Sequence, residues 1–314
     1  MLTAIVNKII PFSCVDGPGN RTAVFLQGCN INCKYCHNPE TRGVCRSCGI
    51  CAEKCPAGAL RLEEGNCSET AGEDGTGKCE KAKAGGPGRY EKTEGRGTRR
   101  VIWDPEKCCQ CDTCIHVCPH DSSPRVRVMT PEQVFGEVKK QIPYIRGISV
   151  SGGECMLHPD FLTELFRLAK GEGLGTLIDS NGTIDFEPFP ELLEVTDGVM
   201  LDIKAFDRQQ FIDVTDFPND VVLKNAKFLG ERGKIEEVRF VIVPDLYDTE
   251  SSVRKAGRFL LPFYRKHPFL IKLIAFRPMG VREQYRHYQV PSRGYLEKLE
   301  KILTAQGYEK IVLI

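Results

Sequence analysis

Residues 21–36 read RTAVFLQGCNINCKYC, a short apolar run followed by three closely spaced cysteines. Its first seven residues predict a short buried strand that ends at Gly28. Cys29, Cys33 and Cys36 follow at once on a predicted loop. The three thiols are therefore expected at the carboxyl end of a strand, where α/β proteins place their functional residues.

The chain beyond residue 130 predicts strands that alternate with helices. Helices are predicted from Thr130 or Pro131 (PEQVFGEVKKQI) and over residues 160–170, 219–230, 251–264 and 292–305. Strands are predicted over residues 148–150, 175–179, 198–203, 237–243, 269–276 and 310–314. This alternation indicates about five to seven parallel βα units, either in an open or closed α/β barrel or in a doubly wound open sheet.

Composition limits the classes of function. The 43 basic and 42 acidic residues leave no basic excess for nucleic acid, and no apolar stretch is long enough to span a membrane. The amino terminus lacks the pattern of a signal peptide, so a cytoplasmic location is expected. Eleven of the 16 cysteines fall into three tight clusters, which favours metal binding over disulfides.

The first cluster supplies three thiolates from one loop. Zinc, with His37 as a fourth ligand, is the alternative, but structural zinc sites usually pair two short ligand motifs. Four-iron clusters normally take four cysteines. Three cysteines would leave one iron free to bind a substrate, so the spacing favours an iron–sulfur cluster that does chemistry.

Two further motifs, each followed by Pro, have the spacing of bacterial ferredoxins. Since such runs give three cysteines to one cluster and the fourth to the other, one cluster is predicted on Cys45, Cys48, Cys51 and Cys118, and the second on Cys108, Cys111, Cys114 and Cys55. Zinc is again the alternative. Between the motifs, residues 63–100 contain no Val, Ile, Leu, Phe or Met and predict a mobile Gly-rich loop. Five cysteines are expected to be unliganded: Cys67, Cys79 and Cys109 as free thiols, and Cys14 and Cys155 as buried, inert ones.

Two motifs together resemble a known family. Residues 16–21 read DGPGNR, and residues 29–39 read CNINCKYCHNP. They resemble the radical S-adenosylmethionine (SAM) superfamily, more closely the glycyl-radical-enzyme activating enzymes, and among these the YjjW subgroup. The resemblance implies a partial (β/α)6-type barrel built from residues 1–44 and 128–314. Residues 45–127 would be an inserted ferredoxin-like domain with two [4Fe–4S] clusters.

The resemblance also implies an activity. The enzyme would cleave SAM reductively to methionine and a 5′-deoxyadenosyl radical, which removes an α-hydrogen from a Gly of a partner glycyl radical enzyme. Three [4Fe–4S] clusters, a flavodoxin or ferredoxin as electron donor, a monomeric state and an anaerobic setting are implied as well. The alternatives are a radical SAM peptide-modifying enzyme and a ferredoxin-type electron carrier. The two clusters of the insert could relay electrons, or they could have a structural or docking role.

The resemblance also implies roles for individual residues, assigned where this sequence matches the family's motifs. Gly153 and Glu154 of the SGGE segment are implied to bind the SAM amino group, and Lys204, two residues after Asp202, its carboxylate. Further contacts to the cofactor are implied for Tyr35, His37, Arg239 and Arg277, the last replacing a family His near the ribose. Asp179, Ser180, Met200 and Asp202 match a monovalent-cation site. Asp16 and Arg21 are candidates to contact the partner's Gly loop.

Overall fold

Two β-sheets organise the chain in the computed structural model, which describes residues 2–64 and 99–314. The predicted mobile loop, with Cys67 and Cys79, lies outside the described residues except at its two ends. The strands are β1 (Ala4–Ser13), β2 (Arg21–Leu26), β3 (Leu60–Glu64), β4 (Arg99–Trp103), β5 (Arg127–Met129), β6 (Gly147–Gly152), β7 (Gly175–Ser180), β8 (Gly198–Asp202), β9 (Ile235–Ile242), β10 (Leu270–Ala275) and β11 (Ile311–Leu313).

Helices connect most of the strands. They are α1 (Ile50–Glu53), α2 (Thr113–His116), α3 (Pro131–Lys139), α4 (Pro159–Gly171), α5 (Pro190–Val195), α6 (Arg208–Thr215), α7 (Asp220–Glu231), α8 (Thr249–Lys266) and α9 (Arg293–Thr304). Capping side chains fix the residues at which several helices begin. Thr130 and Gln133 form a capping box at α3, and Ser292 accepts a hydrogen bond from a first-turn amide of α9.

The larger sheet has nine strands in the order β11-β10-β9-β8-β7-β6-β2-β1-β5, with β11 and β5 at its open edges. Strands β2 and β6 to β11 are parallel, and β1 pairs antiparallel with both β2 and β5. Because parallel neighbours follow in chain order, right-handed crossovers place the helices on one face. The packing of α3 on α4, α4 on α5, α7 on α8 and α8 on α9 agrees with one helical layer.

A single large core joins this sheet to its helices. Its bulkiest members include Phe161 and Phe166 on α4, Phe211 on α6 and Phe240 on β9, all at most 1% exposed. Burial of each such ring stabilises the fold by about 1.5–3 kcal/mol. The prediction of an α/β fold is therefore confirmed, and the carboxyl ends of the parallel strands lie at one edge of the sheet.

The described residues between the first cysteine loop and β5 contain a second, small core. Strands β3 and β4 pair antiparallel, and Cys51, Leu60 and Cys114 are buried together, with Val101 and Trp103 packed against them. The ends of the predicted loop, residues 63–64 and 99–100, are thus part of this hairpin. Two of the three buried residues are cysteines, so apolar burial contributes little here.

The DGPGNR segment lies at the opposite end of the sheet from the cysteine loop. The Arg21 side chain is buried, and its guanidinium donates to the carbonyls of Pro18 (2.9 Å), Ile148 (3.1 Å) and Gly175 (3.4 Å). The expectation that Arg21 contacts a partner protein does not match this burial. Arg21 ties the start of β2 to the starts of β6 and β7.

Among residues 2–64 and 99–314, no helix has both the length and the apolar character needed to cross a bilayer.

Candidate cofactor site at the carboxyl ends of the strands

The first cysteine loop (residues 29–36) follows β2 and is anchored on both sides. The Cys29 amide donates to the Arg42 carbonyl (3.0 Å), and the Lys34 amide donates to the Val214 carbonyl at the end of α6 (2.9 Å). These backbone bonds hold the loop over the ends of the strands.

Of the three cysteines of this loop, Cys33 is buried, and Cys29 and Cys36 are partly buried. Burial raises the pKa of Cys29 to about 11 and that of Cys33 to about 12, and it also raises the pKa of Cys36. The nearby Lys204 ammonium opposes this shift at all three. The Asn181 amide donates to Cys29 Sγ (3.7 Å). Without metal the thiols are protonated at neutral pH, so binding of iron must displace their protons.

A cavity of about 240 Å³ opens beside this loop. Eleven of the predicted site residues line it: Cys29, Cys33, Tyr35, Cys36, His37, Gly153, Asp179, Ser180, Asp202, Lys204 and Arg239. They come from the cysteine loop and from the ends of β6, β7, β8 and β9. Glu154, Met200 and Arg277 lie outside this lining.

The glycines of the SGGE segment allow close contact between backbones. A Cβ on Gly152 would lie 2.1 Å from the Leu26 carbonyl oxygen, and one on Gly153 would lie 2.1 Å from that of Gly28. Gly152 also has φ +128°, which residues with side chains rarely adopt. The end of β6 therefore touches the end of β2 directly, and Gly153 presents bare backbone to the cavity.

Glu154 faces the protein interior. Its carboxylate accepts hydrogen bonds from the Asn181 amide (2.8 Å), the Met156 amide (3.0 Å) and the Ser180 hydroxyl (2.9 Å). Burial raises its pKa to about 7, although these bonds oppose the shift. The carboxylate thus braces the loop that carries Asn181 and Ser180.

Lys204 is a largely buried cation near the thiols. Its Nζ donates to Asp202 Oδ2 (2.5 Å) and lies 5.8 Å from the centre of the Tyr35 ring. Burial lowers the pKa of Lys204, but the Asp202 carboxylate outweighs this and the pKa is raised above its ordinary value overall. Lys204 is therefore a permanent positive charge at the cavity wall.

Arg239 occupies the region of the predicted monovalent-cation site. Its guanidinium donates to Asp179 Oδ2 (2.8 Å) and to Met200 Sδ (3.0 Å), and it pairs with Glu237. Glu237 is buried and also pairs with Lys272 (2.7 Å). In this arrangement the guanidinium compensates the Asp179 charge.

The His37 side chain contacts the backbone of Arg277. The His37 Nε2 lies 3.0 Å from the Arg277 carbonyl oxygen, and its ring is near Phe276 (centroids 6.1 Å apart). The Arg277 side chain is exposed. The structure thus places the Arg277 carbonyl, and not its guanidinium, beside a cavity residue.

The eight motif cysteines of the insert fall into two groups. Cys45, Cys48, Cys51 and Cys118 line one small cavity, and Cys55, Cys108, Cys111 and Cys114, together with Cys109, line another. These are the two sets that the spacing predicts. No group of three or more His, Cys, Asp and Glu within residues 2–64 and 99–314 is arranged to hold a single metal ion.

The two isolated cysteines differ. Cys155 is buried as predicted, and the carbonyl oxygens of Val150 (3.3 Å) and Asp179 (3.4 Å) both lie within reach of its single S–H. The predicted burial of Cys14 is wrong, because it lies in the exposed turn after β1, where its thiol donates to Asn20 Oδ1 (3.3 Å).

Three residues of the site were not predicted. Asn181 donates to Cys29, and Arg282 donates to the Cys33 carbonyl (2.9 Å) and pairs with Asp121 (3.4 Å). Asn181 directly follows Ser180, which was predicted. Arg282 and Asp121 are far from each other in sequence, and no motif marks them.

Comparison with known families agrees with this geometry. The radical SAM superfamily model matches residues 105–260, and a model described as a 4Fe-4S single cluster domain matches residues 15–70. The chain belongs to the radical SAM superfamily, and an iron–sulfur cluster and SAM are its cofactors.

Relatives that match over nearly the whole chain indicate more narrowly which class of radical SAM enzyme it resembles. The chain is 27% identical to the indoleacetate decarboxylase activating enzyme of Tractidigestivibacter scatoligenes, over 99% of this chain and 98% of that protein. It is 26% identical to the pyruvate formate-lyase-activating enzyme of Streptococcus mutans, over 98% of this chain and 94% of that protein. Its identity to the trans-4-hydroxy-L-proline dehydratase activating enzyme of Clostridioides difficile is also 26%, with 98% of each covered. The resemblance found in the motifs is thus confirmed along the chain.

Proposed function

We propose that this protein is a glycyl-radical-enzyme activating enzyme that removes a hydrogen atom from a Gly of a partner enzyme. The observation that carries the proposal is one cavity in which Cys29, Cys33 and Cys36 face Lys204 and the bare backbone of Gly153. The residues fit a [4Fe–4S] cluster with one open iron, because three thiols share one loop beside a ligand-sized cavity. The full-length similarity to activating enzymes supports the same function.

Each wall of the cavity has a proposed part in binding SAM. The Lys204 ammonium would pair with the SAM carboxylate, and the backbone around Gly153 would accept bonds from its amino group. Tyr35 and His37 would border the adenine. Arg239 would place positive charge near the nucleoside. Cys29, Cys33 and Cys36 would hold a cluster that, when bound, would supply the one electron needed to split SAM into methionine and a 5′-deoxyadenosyl radical.

We extend the proposal to the finer architecture. The parallel strands β2 and β6 to β10, with their connections, would form a partial (β/α)6-type barrel from residues 1–44 and 128–314. Residues 45–127 would be a ferredoxin-like domain whose two groups of four cysteines hold two more [4Fe–4S] clusters, three in all. A flavodoxin or ferredoxin would be the electron donor, and the enzyme would act as a cytoplasmic monomer under anaerobic conditions.

The test uses protein that is purified and loaded with iron and sulfide without oxygen. Reduction with dithionite in the presence of SAM should give 5′-deoxyadenosine and methionine in equal amounts, measured by mass spectrometry. Addition of a glycyl radical enzyme from the same host should give the doublet of a glycyl radical in electron paramagnetic resonance (EPR). A Gly→Ala variant of that partner should give none.

Two variants of this chain separate the outcomes. Cys33→Ala should abolish 5′-deoxyadenosine, whereas Cys109→Ala, which changes an exposed cysteine outside the motif spacing, should leave it unchanged. Absence of 5′-deoxyadenosine from the wild type would overturn the proposal. Formation of 5′-deoxyadenosine without a radical on any glycyl radical enzyme of the host would favour a peptide-modifying enzyme instead.

A further inference from the structure

We propose that Arg282 is a positioning residue that fastens the insert to the first cysteine loop and sets the electrostatic environment of the cluster bound there. This inference rests on the proposed function, since it assigns a role to the insert within that enzyme. Arg282 follows β10 in sequence and belongs to neither cysteine region.

The contacts of Arg282 reach both cysteine regions. Its Nη2 donates to the Cys33 carbonyl (2.9 Å), and its Nη1 lies 3.4 Å from Asp121 Oδ2. The guanidinium also lies over the Tyr285 ring, 4.9 Å from its centre. The side chain is only 11% exposed, so both contacts are shielded from water and more effective than surface ion pairs.

Asp121 is held at the point where the insert rejoins the rest of the chain. Its carboxylate also pairs with Arg42, and its carbonyl accepts from the Gly43 amide (2.7 Å). Its φ of +45° is unusual for a residue with a side chain. Such a conformation is strained and persists when surrounding contacts enforce it.

Two glycines show how closely the segments approach. A Cβ on Gly43 would lie 2.0 Å from the His120 carbonyl oxygen, and one on Gly280 would lie 2.7 Å from that of His37. Backbone thus meets backbone between Gly43 and His120 and between Gly280 and His37. Gly43 is two residues before Cys45, and Asp121 is three residues after Cys118, so both contacts adjoin proposed ligands of one insert cluster.

The charges of this junction act on the first cysteine loop. The Arg282 guanidinium donates to the Cys33 carbonyl, so its positive charge lies beside the backbone of a proposed cluster ligand. A cation near an iron–sulfur cluster favours its reduced, more negative state, and an anion disfavours it. Arg282 and Asp121 should therefore shift the reduction potential of the first cluster in opposite directions.

The test compares four variants of the iron-loaded protein with the wild type. The midpoint potential of the first cluster is measured by EPR, using the signal that changes when SAM is added. Hydrogen exchange is measured for the amides of residues 40–45 and 118–122. Arg282→Gln should lower the potential and speed exchange in both segments. Asp121→Asn should raise the potential and also speed exchange.

Arg286→Gln is the matched control, because Arg286 lies in the same loop but is exposed and donates to the Val281 carbonyl (2.7 Å). It should change neither measurement. Arg282→Lys should restore the potential, since it keeps the charge, but not slow exchange, since one ammonium cannot replace the planar two-sided contact.

Several results would overturn the inference: potentials that move in the same direction in Arg282→Gln and Asp121→Asn, unchanged exchange in both, or an equal shift in Arg286→Gln. If Arg282→Gln does not fold, Asp121→Asn decides the question, through the sign of its change in midpoint potential and through its rates of hydrogen exchange. Neither measurement requires SAM cleavage. Failure of the wild type to form 5′-deoxyadenosine would therefore count against the proposed function and not against this junction.

Discussion

The side-chain amide of Asn181 donates a hydrogen bond to the Cys29 sulfur, with an N···S distance of 3.7 Å. Asn181 is held in turn by Glu154, whose carboxylate accepts from the Asn181 backbone amide. The Glu154 carboxylate, which directly follows Gly152 and Gly153, therefore supports the donor to a cysteine ligand.

Asn181→Ala should lower the midpoint potential of the first cluster. Hydrogen bonds to cluster sulfurs stabilise the more negative reduced state, and this variant removes one. An EPR-monitored redox titration measures the shift. Asn32→Ala is the control, because Asn32 belongs to the same loop but donates to Asp216 (2.6 Å). Equal potentials in Asn181→Ala and the wild type would refute this role.

Lys204→Met should weaken SAM binding by about 10- to 100-fold, as expected for loss of a hydrogen bond to a charged group. Calorimetric titration of the iron-loaded protein with SAM measures the change, and the rate of 5′-deoxyadenosine formation should fall with it. Lys34→Met removes a charge from the cysteine loop outside the cavity lining and should bind SAM normally. Wild-type affinity in Lys204→Met would show that the ammonium serves only Asp202.

Gly153→Ala should destabilise the protein by about 3 kcal/mol, because its Cβ would lie 2.1 Å from the Gly28 carbonyl oxygen and force β6 away from β2. Thermal unfolding of the iron-free protein measures the loss. Gly171→Ala is the matched change, since a Cβ there meets nothing within 4 Å. It should shift stability by less than about 1 kcal/mol. Equal unfolding temperatures for the two variants would contradict the close approach.

The Glu154 carboxyl should make the iron-free protein less stable as pH rises. Its pKa is about 7 in the folded protein, against 4.5 for an ordinary glutamate, so between these values the folded state holds more protons than the unfolded state. Stability therefore falls as pH rises from about 4.5 to 7, by on the order of 3 kcal/mol from this group.

Glu154→Gln should remove that part of the pH dependence. Chemical denaturation from pH 5 to pH 7.5 under anaerobic, reducing conditions measures it as a difference between the wild type and the variant. Glu194→Gln, at an exposed position on α5, should show the same dependence of stability on pH as the wild type. A constant difference between the wild type and Glu154→Gln across this range would refute the raised pKa.

Local patterns in the sequence predicted the repeating part of the fold. The strand at residues 175–179 and the helix at residues 160–170 match β7 and α4 within one residue at each end, because their apolar residues recur with the periods of a strand and a helix. Strand β1 was not predicted. Its burial follows no clean alternation, and its pairing with β2 depends on a turn through DGPG that the pattern does not specify.

The site was predictable where motifs carry it and not elsewhere. SGGE and the segment from Asp202 to Lys204 lie at strand ends that the periodicity located. The inward direction of the Glu154 carboxylate depends on the ends of two different strands, and the contact of Arg282 with Asp121 joins residues 161 positions apart. Interactions at that separation leave no local signal.

Arg21 has a consequence for interpreting loss-of-function variants. Its guanidinium donates hydrogen bonds to the carbonyls of Ile148 and Gly175, at the end of the sheet remote from the thiols. Substitution there would leave these acceptors unsatisfied and misalign β6 and β7, whose far ends carry Gly153 and Ser180. A genetic screen for inactive enzyme would therefore recover Arg21 variants beside Lys204 variants, and only the abundance of folded protein would tell the two kinds of defect apart.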